Sequence, residues 1–193
     1  MTYSILPAII SYLYIMQNRS AIAMFTMSGV LLLFATFASL LPDVIESKSS
    51  VLISENKSTV TKYLSTAKNW ESWMFSDADK DSSWRVLTSG EEEGVGSVLK
   101  WFSDLIGDGA LEVKKVEDNI VVFERITDNN AYSDRGYIRI TELESGVRLD
   151  WIDSLDISRS FMARYHAQDP KYIKKIDSVN NVMLQNLKLQ LEN

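Results

Sequence analysis

The sequence predicts an α+β protein: a curved antiparallel β-sheet wrapped around a long C-terminal α-helix, preceded by one transmembrane helix. Three observations carry this reading. The first is an uncharged apolar run near the N-terminus. The second is a series of strand-like segments joined by tight turns. The third is a capped, amphipathic stretch that closes the chain.

The apolar run is Ala21–Leu41, 21 residues without a charge. At a rise of 1.5 Å per residue it would reach about 31 Å, the thickness of a bilayer's hydrocarbon core. Its length favours a retained anchor over a signal peptide, whose apolar region is about 7–15 residues. Upstream, residues 1–20 form a short apolar segment interrupted by Pro7, which would be an interfacial helix or an extension of the span. Met16 would itself serve as a start, placing Arg19 directly before the span. Arg19 flanks one side and Lys48 the other, with Arg19 nearer its end, so the positive-inside rule tips the soluble domain to the extracytoplasmic side.

Pro42 ends the span, residues 42–48 read as a polar linker, and residues 49–193 form the folded domain. Ser49–Ser54 is a short strand. Lys57–Leu64 has helical spacing, with Asn56 as its cap. A second helical stretch includes Asn69-Trp70-Glu71-Ser72-Trp73, whose two tryptophans share a face. Strands are expected at Ser83–Ser89, Gly96–Ser103, Gly109–Glu117, Ile120–Thr127, Arg135–Glu142 and Val147–Leu155. The turns between them fall at Gly90–Gly94, Gly107-Asp108-Gly109, Asp118-Asn119, Asp128-Asn129-Asn130 and Glu144-Ser145-Gly146. Consecutive strands with tight turns form an antiparallel meander, because parallel pairing needs long crossovers. Asp169 caps the last helix and Pro170 takes its first position. Apolar residues then recur at Tyr172, Ile176, Val179, Met183 and Leu187.

Composition excludes several functions. Of 20 basic and 26 acidic side chains only Arg19 precedes Asp43, so the domain is acidic and lacks the basic stripe that phosphate backbones require. Nucleic acid is therefore not an expected partner. The chain has no cysteine and one histidine, His166. Thiolate nucleophiles and Cys- or His-rich metal sites are thereby excluded, and neither a metal nor a cofactor is expected.

The motifs in order resemble the helix-grip superfamily of START-like and polyketide-cyclase-like proteins, SRPBCC. Asn69-Trp70-Glu71-Ser72-Trp73 is similar to that family's Asn-Trp-x-x-Trp helix end. Gly94-Val95-Gly96 with Trp101 resembles its Gly-x-Gly hairpin and aromatic strand. Leu149-Asp150-Trp151 and Leu184-Gln185-Asn186-Leu187-Lys188 resemble its late strand and closing helix. The resemblance covers about 49–192. It implies an apolar cavity between sheet and helix, and its bacterial members often carry an N-terminal anchor. It does not imply one activity, since the fold hosts carriers, cyclases and chaperone cofactors.

Alternation assigns faces. Leu99 and Trp101, Leu111 and Val113, Val121, Phe123 and Arg125, and Leu149, Trp151 and Asp153 point inward, joined by Met183 and Leu187 from the helix. These residues would line a pocket for a hydrophobic small molecule or lipid, or would equally build a filled core. Arg125 and Asp153 are costly to bury alone, so they meet each other, a ligand, or water at the strand ends. His166 and Glu91-Glu92-Glu93 read as solvated. The leading expectation is membrane-tethered binding of a lipid, quinone or similar ligand. The alternatives are a cyclase- or dehydratase-type enzyme using Arg125, Asp153 or His166, and an envelope interaction protein without a ligand.

Overall fold

The computed structural model describes residues 6–76, 80–127 and 132–193, with side chains described from Ala21 onward except that of Tyr132. The chain divides into two compact units, Met1–Leu41 and Pro42–Asn193.

The first unit is one helix, α1 (Leu6–Ser39). Pro7 sits in its first turn, where a missing N–H costs nothing, so the upstream apolar segment continues into the span rather than standing apart. Within α1, Ala21–Ser39 is long and apolar enough to cross a membrane, a test that a signal sequence also passes. Its large side chains, among them Phe25, Leu31, Leu32 and Leu33, are exposed all round.

The second unit runs β1 (Val44–Ile53), α2 (Lys57–Ser65), α3 (Ala67–Met74), β2 (Arg85–Gly90), β3 (Ser97–Phe102), β4 (Gly109–Glu117), β5 (Ile120–Thr127), β6 (Tyr132–Leu143), β7 (Gly146–Asp156), α4 (Phe161–His166) and α5 (Pro170–Glu192). The seven strands make one antiparallel sheet in the order β1-β7-β6-β5-β4-β3-β2. The expected α+β class and long closing helix are both present. The expected turn at Asp128-Asn129-Asn130 lies outside the described residues.

Three features differ from expectation. β1 starts at Val44, inside the stretch read as linker, and alternates exposed and buried along its whole length. Its inward positions 47 and 49 are serines, so no apolar alternation marks them. Their hydroxyls instead reach α5, Ser47 Oγ donating to Asp177 Oδ1 at 2.7 Å and Ser49 Oγ to the Asp177 carbonyl at 3.2 Å. On α5, Val179 is 47% exposed, whereas Asn180, Leu184 and Leu187 are buried. A polar residue in the buried stripe hid its true phase. The helix α4 was not expected; Arg164 fixes it, with Nε donating to the Pro42 carbonyl at 3.2 Å and pairing with Asp43 at 2.9 Å.

The caps work as the sequence predicts. Asn56 accepts from the Thr59 N–H at 2.8 Å, and Asp169 from the Lys171 N–H at 2.9 Å. The core lies between one face of the sheet and α2, α3 and α5. Its centre is aromatic: Trp70 and Trp73 of α3 lie 4.8 Å apart between centroids, Trp70 lies 4.9 Å from Phe123, and Trp73 lies 5.4 Å from Trp151. The edge-on and tilted geometries are those that aromatic quadrupoles favour. Trp70 Nε1 donates to the Leu64 carbonyl at 2.8 Å, locking α3 against α2.

Candidate functional site

The inward positions assigned from alternation are inward, but they divide between two environments. Leu99, Leu111, Val113, Phe123, Leu149, Trp151 and Leu187 are at most 1% exposed and pack in the solid core with Trp70 and Trp73. The tryptophans of α3 occupy the space where an aromatic-walled pocket was expected, which moves open volume toward one end of the grip. There a cavity of about 290 Å³ is walled by Met74, Phe75, Trp101, Ile106, Leu155 and Met183, with Arg125, Thr127 and Asp134 on its polar side. An adjoining groove of about 320 Å³ shares Met74, Phe75, Ile106 and Met183 and extends along α5 past Val179 and Val182. Of the anticipated residues, Trp101, Arg125 and Met183 line the cavity.

Arg125 and Asp153 are not solvated at strand ends. β6 and β7 run further than expected, and the two side chains lie within the sheet face with Asp153 only 3% exposed. Register explains the grouping. Arg125 on β5 is the cross-strand partner of Asp134 on β6, and Asp153 on β7 is the partner of Gly136. Arg125 donates through Nε to Asp134 Oδ2 at 2.8 Å, and its Nη2 also bonds that oxygen. Nη2 lies 3.5 Å from Asp153 Oδ2. Asp153 has further donors: Trp151 Nε1 at 2.6 Å and Asn180 Nδ2 at 3.1 Å. Asn180 Nδ2 also donates to Ser47 Oγ at 3.0 Å, which links the cluster to β1 and α5.

Gly136 makes room for this arrangement. A Cβ there would collide with the Asp153 carboxyl and the Phe123 ring. A glycine in mid-strand is the sequence sign of such a close approach. Asp134 escapes the sequence pattern because it lies one residue before the expected strand Arg135–Glu142, inside the longer β6. Asn180 was missed because it interrupts an apolar stripe.

One guanidinium faces two buried carboxylates, so a single positive charge cannot balance both. Asp153 is served by three donor groups, whereas among the described residues Asp134 has Arg125 alone, and its Oδ1 is buried without a partner there. Burial therefore outweighs the attraction of Arg125 and raises the Asp134 carboxyl from 3.8 to about 6. Burial disfavours the Arg125 charge, but its two acidic neighbours more than compensate and raise its pKa.

An acid whose folded pKa is raised contributes stability that is fully present below its unfolded value and is lost as pH rises through about 6. Asp134→Asn removes that term. The stability of the variant relative to the native protein should accordingly rise by about 2–3 kcal/mol between pH 4 and pH 7. Urea titrations across that range check this, and a constant difference would contradict it. Asp81, Asp156 and Glu192 have lowered pKa values from hydrogen bonding and act in the opposite sense, which is why the difference, not the absolute curve, is the quantity to follow.

His166 lies exposed on α4, with the Tyr165 and Tyr172 rings 5.8 and 6.0 Å away, and lines neither cavity. Glu91, Glu92 and Glu93 are exposed in the β2–β3 loop, as expected.

No protein-family model and no curated protein matches the chain. Solved structures do. The protein of unknown function SA2116 from Staphylococcus aureus has a TM-score of 0.56 at 12% identity, covering 77% of this chain and 94% of its own. The di-domain ARO/CYC StfQ from the steffimycin biosynthetic pathway has a TM-score of 0.55 at 12% identity, covering 77% of this chain and 51% of its own. The KanY protein has a TM-score of 0.54 at 14% identity, covering 77% and 98%. At such low identities these likenesses establish the fold alone. The domain shares their fold, a curved antiparallel sheet around a long C-terminal helix, which is the helix-grip fold that the resemblance of its tryptophan and glycine motifs implied.

Proposed function

We propose that the protein is a membrane-tethered binding module that holds a hydrophobic ligand at the open end of its grip. The observation that carries this reading is the cavity itself. Six apolar side chains face three polar ones there, and the cavity adjoins a groove of similar size. Apolar walls with a few placed polar groups are the usual make-up of a small-molecule site, and the volume of about 290 Å³ lies just below the usual range of about 300–1,000 Å³, with the adjoining groove adding to it. The tether is supported by the Ala21–Ser39 part of α1, which is long and apolar enough to cross a membrane and whose large apolar side chains are exposed. Ligands that partition into a bilayer would be presented to a domain anchored beside it.

Met183 touches both the cavity and the groove, so Met183→Trp should plug them without disturbing the Arg125 cluster. The test is extraction and mass spectrometry of small molecules from the full chain, purified beside this variant. A stoichiometric apolar molecule that accompanies the native protein and not the variant supports the proposal. Equal yields from both would assign the molecules to the lipid around α1 and overturn it.

An enzymatic reading has one observation in its favour: Asp134, with its carboxyl near neutrality, stands beside Arg125 on the cavity wall. Under that reading Asp134→Asn would abolish turnover of a bound molecule while leaving its binding intact. Under the binding-module reading the bound molecule is recovered chemically unchanged.

A further inference from the structure

The short helix α4 is fastened to the point where the chain enters the folded unit. Ile157 N donates to the Asp43 carbonyl at 2.9 Å, Arg164 Nε donates to the Pro42 carbonyl at 3.2 Å, and Arg164 pairs with Asp43 at 2.9 Å. Only Pro42 separates Asp43 from Leu41, the last residue of the apolar run. Ala163 and Ala167 turn inward and pack with Ile45, Ile157, Tyr172 and Ile173. On the other side Phe161, Met162 and Tyr165 fall within about 100° of one another and are 37%, 58% and 51% exposed. Such a group is unfavourable in water, but the boundary between headgroups and acyl chains accepts it, with the Tyr165 hydroxyl left among the headgroups. Charge agrees with that setting. Residues 157–176 carry five lysines and arginines against one acid, Asp169, in an otherwise acidic domain. Arg164 is engaged with Asp43, while Lys171, Lys174 and Lys175 are exposed in the first turns of α5. The register places the Val44–Asp156 pair at this end of the sheet and the Leu143–Gly146 pair at the other. That other end exposes Val95 and Leu143 too, but sets them among Glu91, Glu92, Glu93, Glu142 and Glu144.

We infer that α4 is an interfacial foot: Phe161, Met162 and Tyr165 enter the headgroup layer of a lipid bilayer, and Lys171, Lys174 and Lys175 meet lipid phosphates beside them. The inference rests on reading Ala21–Ser39 as a membrane span, because it is the span that brings the bilayer to Pro42. Three side chains would hold a free domain to lipid only weakly. Joined to a span through a single residue, they work at a high effective concentration, and weak contacts suffice. The long stems of the lysines let their charges reach the phosphates while α4 sits deeper. Docking also serves the ligand site. The groove along α5 begins at Ser178 and Val179, about 5–6 Å of helix rise beyond Lys175, so an apolar molecule leaving the acyl layer has a short path into it.

The chain has no cysteine, so single cysteines can each carry a fluorophore. Met162→Cys and Tyr165→Cys report on the foot, Leu143→Cys on the opposite end of the sheet, and Phe37→Cys on the span. Each full-length variant is labelled with nitrobenzoxadiazole and placed in nanodiscs of phosphatidylcholine and phosphatidylglycerol. Fluorescence is compared with and without phosphatidylcholine that bears a doxyl quencher high on its acyl chain. The probes at Met162 and Tyr165 should be quenched several-fold more than the probe at Leu143, as a depth of about 5–10 Å into the interface requires. Quenching at Phe37, with Met162 and Tyr165 quenched no more than Leu143, would overturn the foot and leave the span standing. No quenching at Phe37 would overturn both. All four positions are exposed, so the substitutions spare the packed core, and either foot position alone decides the matter.

Discussion

Arg125→Leu should lower the stability of the domain by about 3–5 kcal/mol at neutral pH, the usual consequence of removing one partner from a buried ionic cluster. The loss comes less from the missing bonds than from what remains. Asp134 and Asp153 would then share a buried site with no cation, and the Asp134 carboxyl, already raised by burial, would lose the attraction that holds it down and be pushed further upward. The contribution of Asp134 to stability would be full below the unfolded value of about 3.9 and would be lost as pH rises through its elevated folded value. The deficit of the variant should therefore shrink toward pH 4 and widen toward pH 7.5. All five tryptophans lie in the domain, so their fluorescence during urea unfolding of the full chain follows this unit alone. A deficit of equal size at both pH values would show that Arg125 matters for its packing and not for its charge.

Trp70→Ala should be comparably severe, about 3–5 kcal/mol by the precedent of large-to-small substitutions in closed cores. Trp70 is 0% exposed and lies within 6.3 Å, centroid to centroid, of Trp73, Phe123 and Trp151. Its indole N–H also anchors the end of α2. Against a total stability of about 5–15 kcal/mol, such a loss leaves little folded protein at the low end of that range. Trp70→Phe keeps most of the ring contacts and forfeits mainly the bond to the Leu64 carbonyl, so it should lie about 1–2 kcal/mol below the native protein. Near-ultraviolet circular dichroism and urea midpoints distinguish the two. A mild effect of the alanine variant would mean that α2 and α3 close over the hole, and the filled core would then be more pliable than its geometry implies.

Much of this architecture was legible before the structure. The bounds of β4 and β5, the caps at Asn56 and Asp169, and the faces of Leu99, Phe123 and Trp151 all follow from alternation, spacing and side-chain chemistry that act over a few residues. What was not legible depends on which elements meet. The pair Trp70 and Trp73 announced a shared face, but nothing local says that this face fills the centre of the grip and displaces the cavity toward Met74 and Met183. The polar network was hidden for a similar reason. Ser47, Asp134 and Asn180 occupy inward positions that an apolar pattern would have revealed, and they are tolerated there only because each finds its partner on another element. Gly136 was the one local clue to that network.

The position of β1 governs the order in which the domain can assemble. Among the described residues its one neighbour in the sheet is β7, and Ser47 and Ser49 on its inner face are held by Asp177 of α5 across separations of 130 and 128 residues. A nascent chain thus exposes Val44–Ile53 long before any strand exists to pair with it, and bringing these distant segments together is slow compared with forming the local hairpins β4–β5 and β6–β7. Contact order therefore favours growth of the sheet from its local hairpins, with the strand that emerges first seated late. During that interval the unpaired edge of β1 is free to recruit the wrong strand, so the yield of native protein depends on how quickly β7 and α5 follow it.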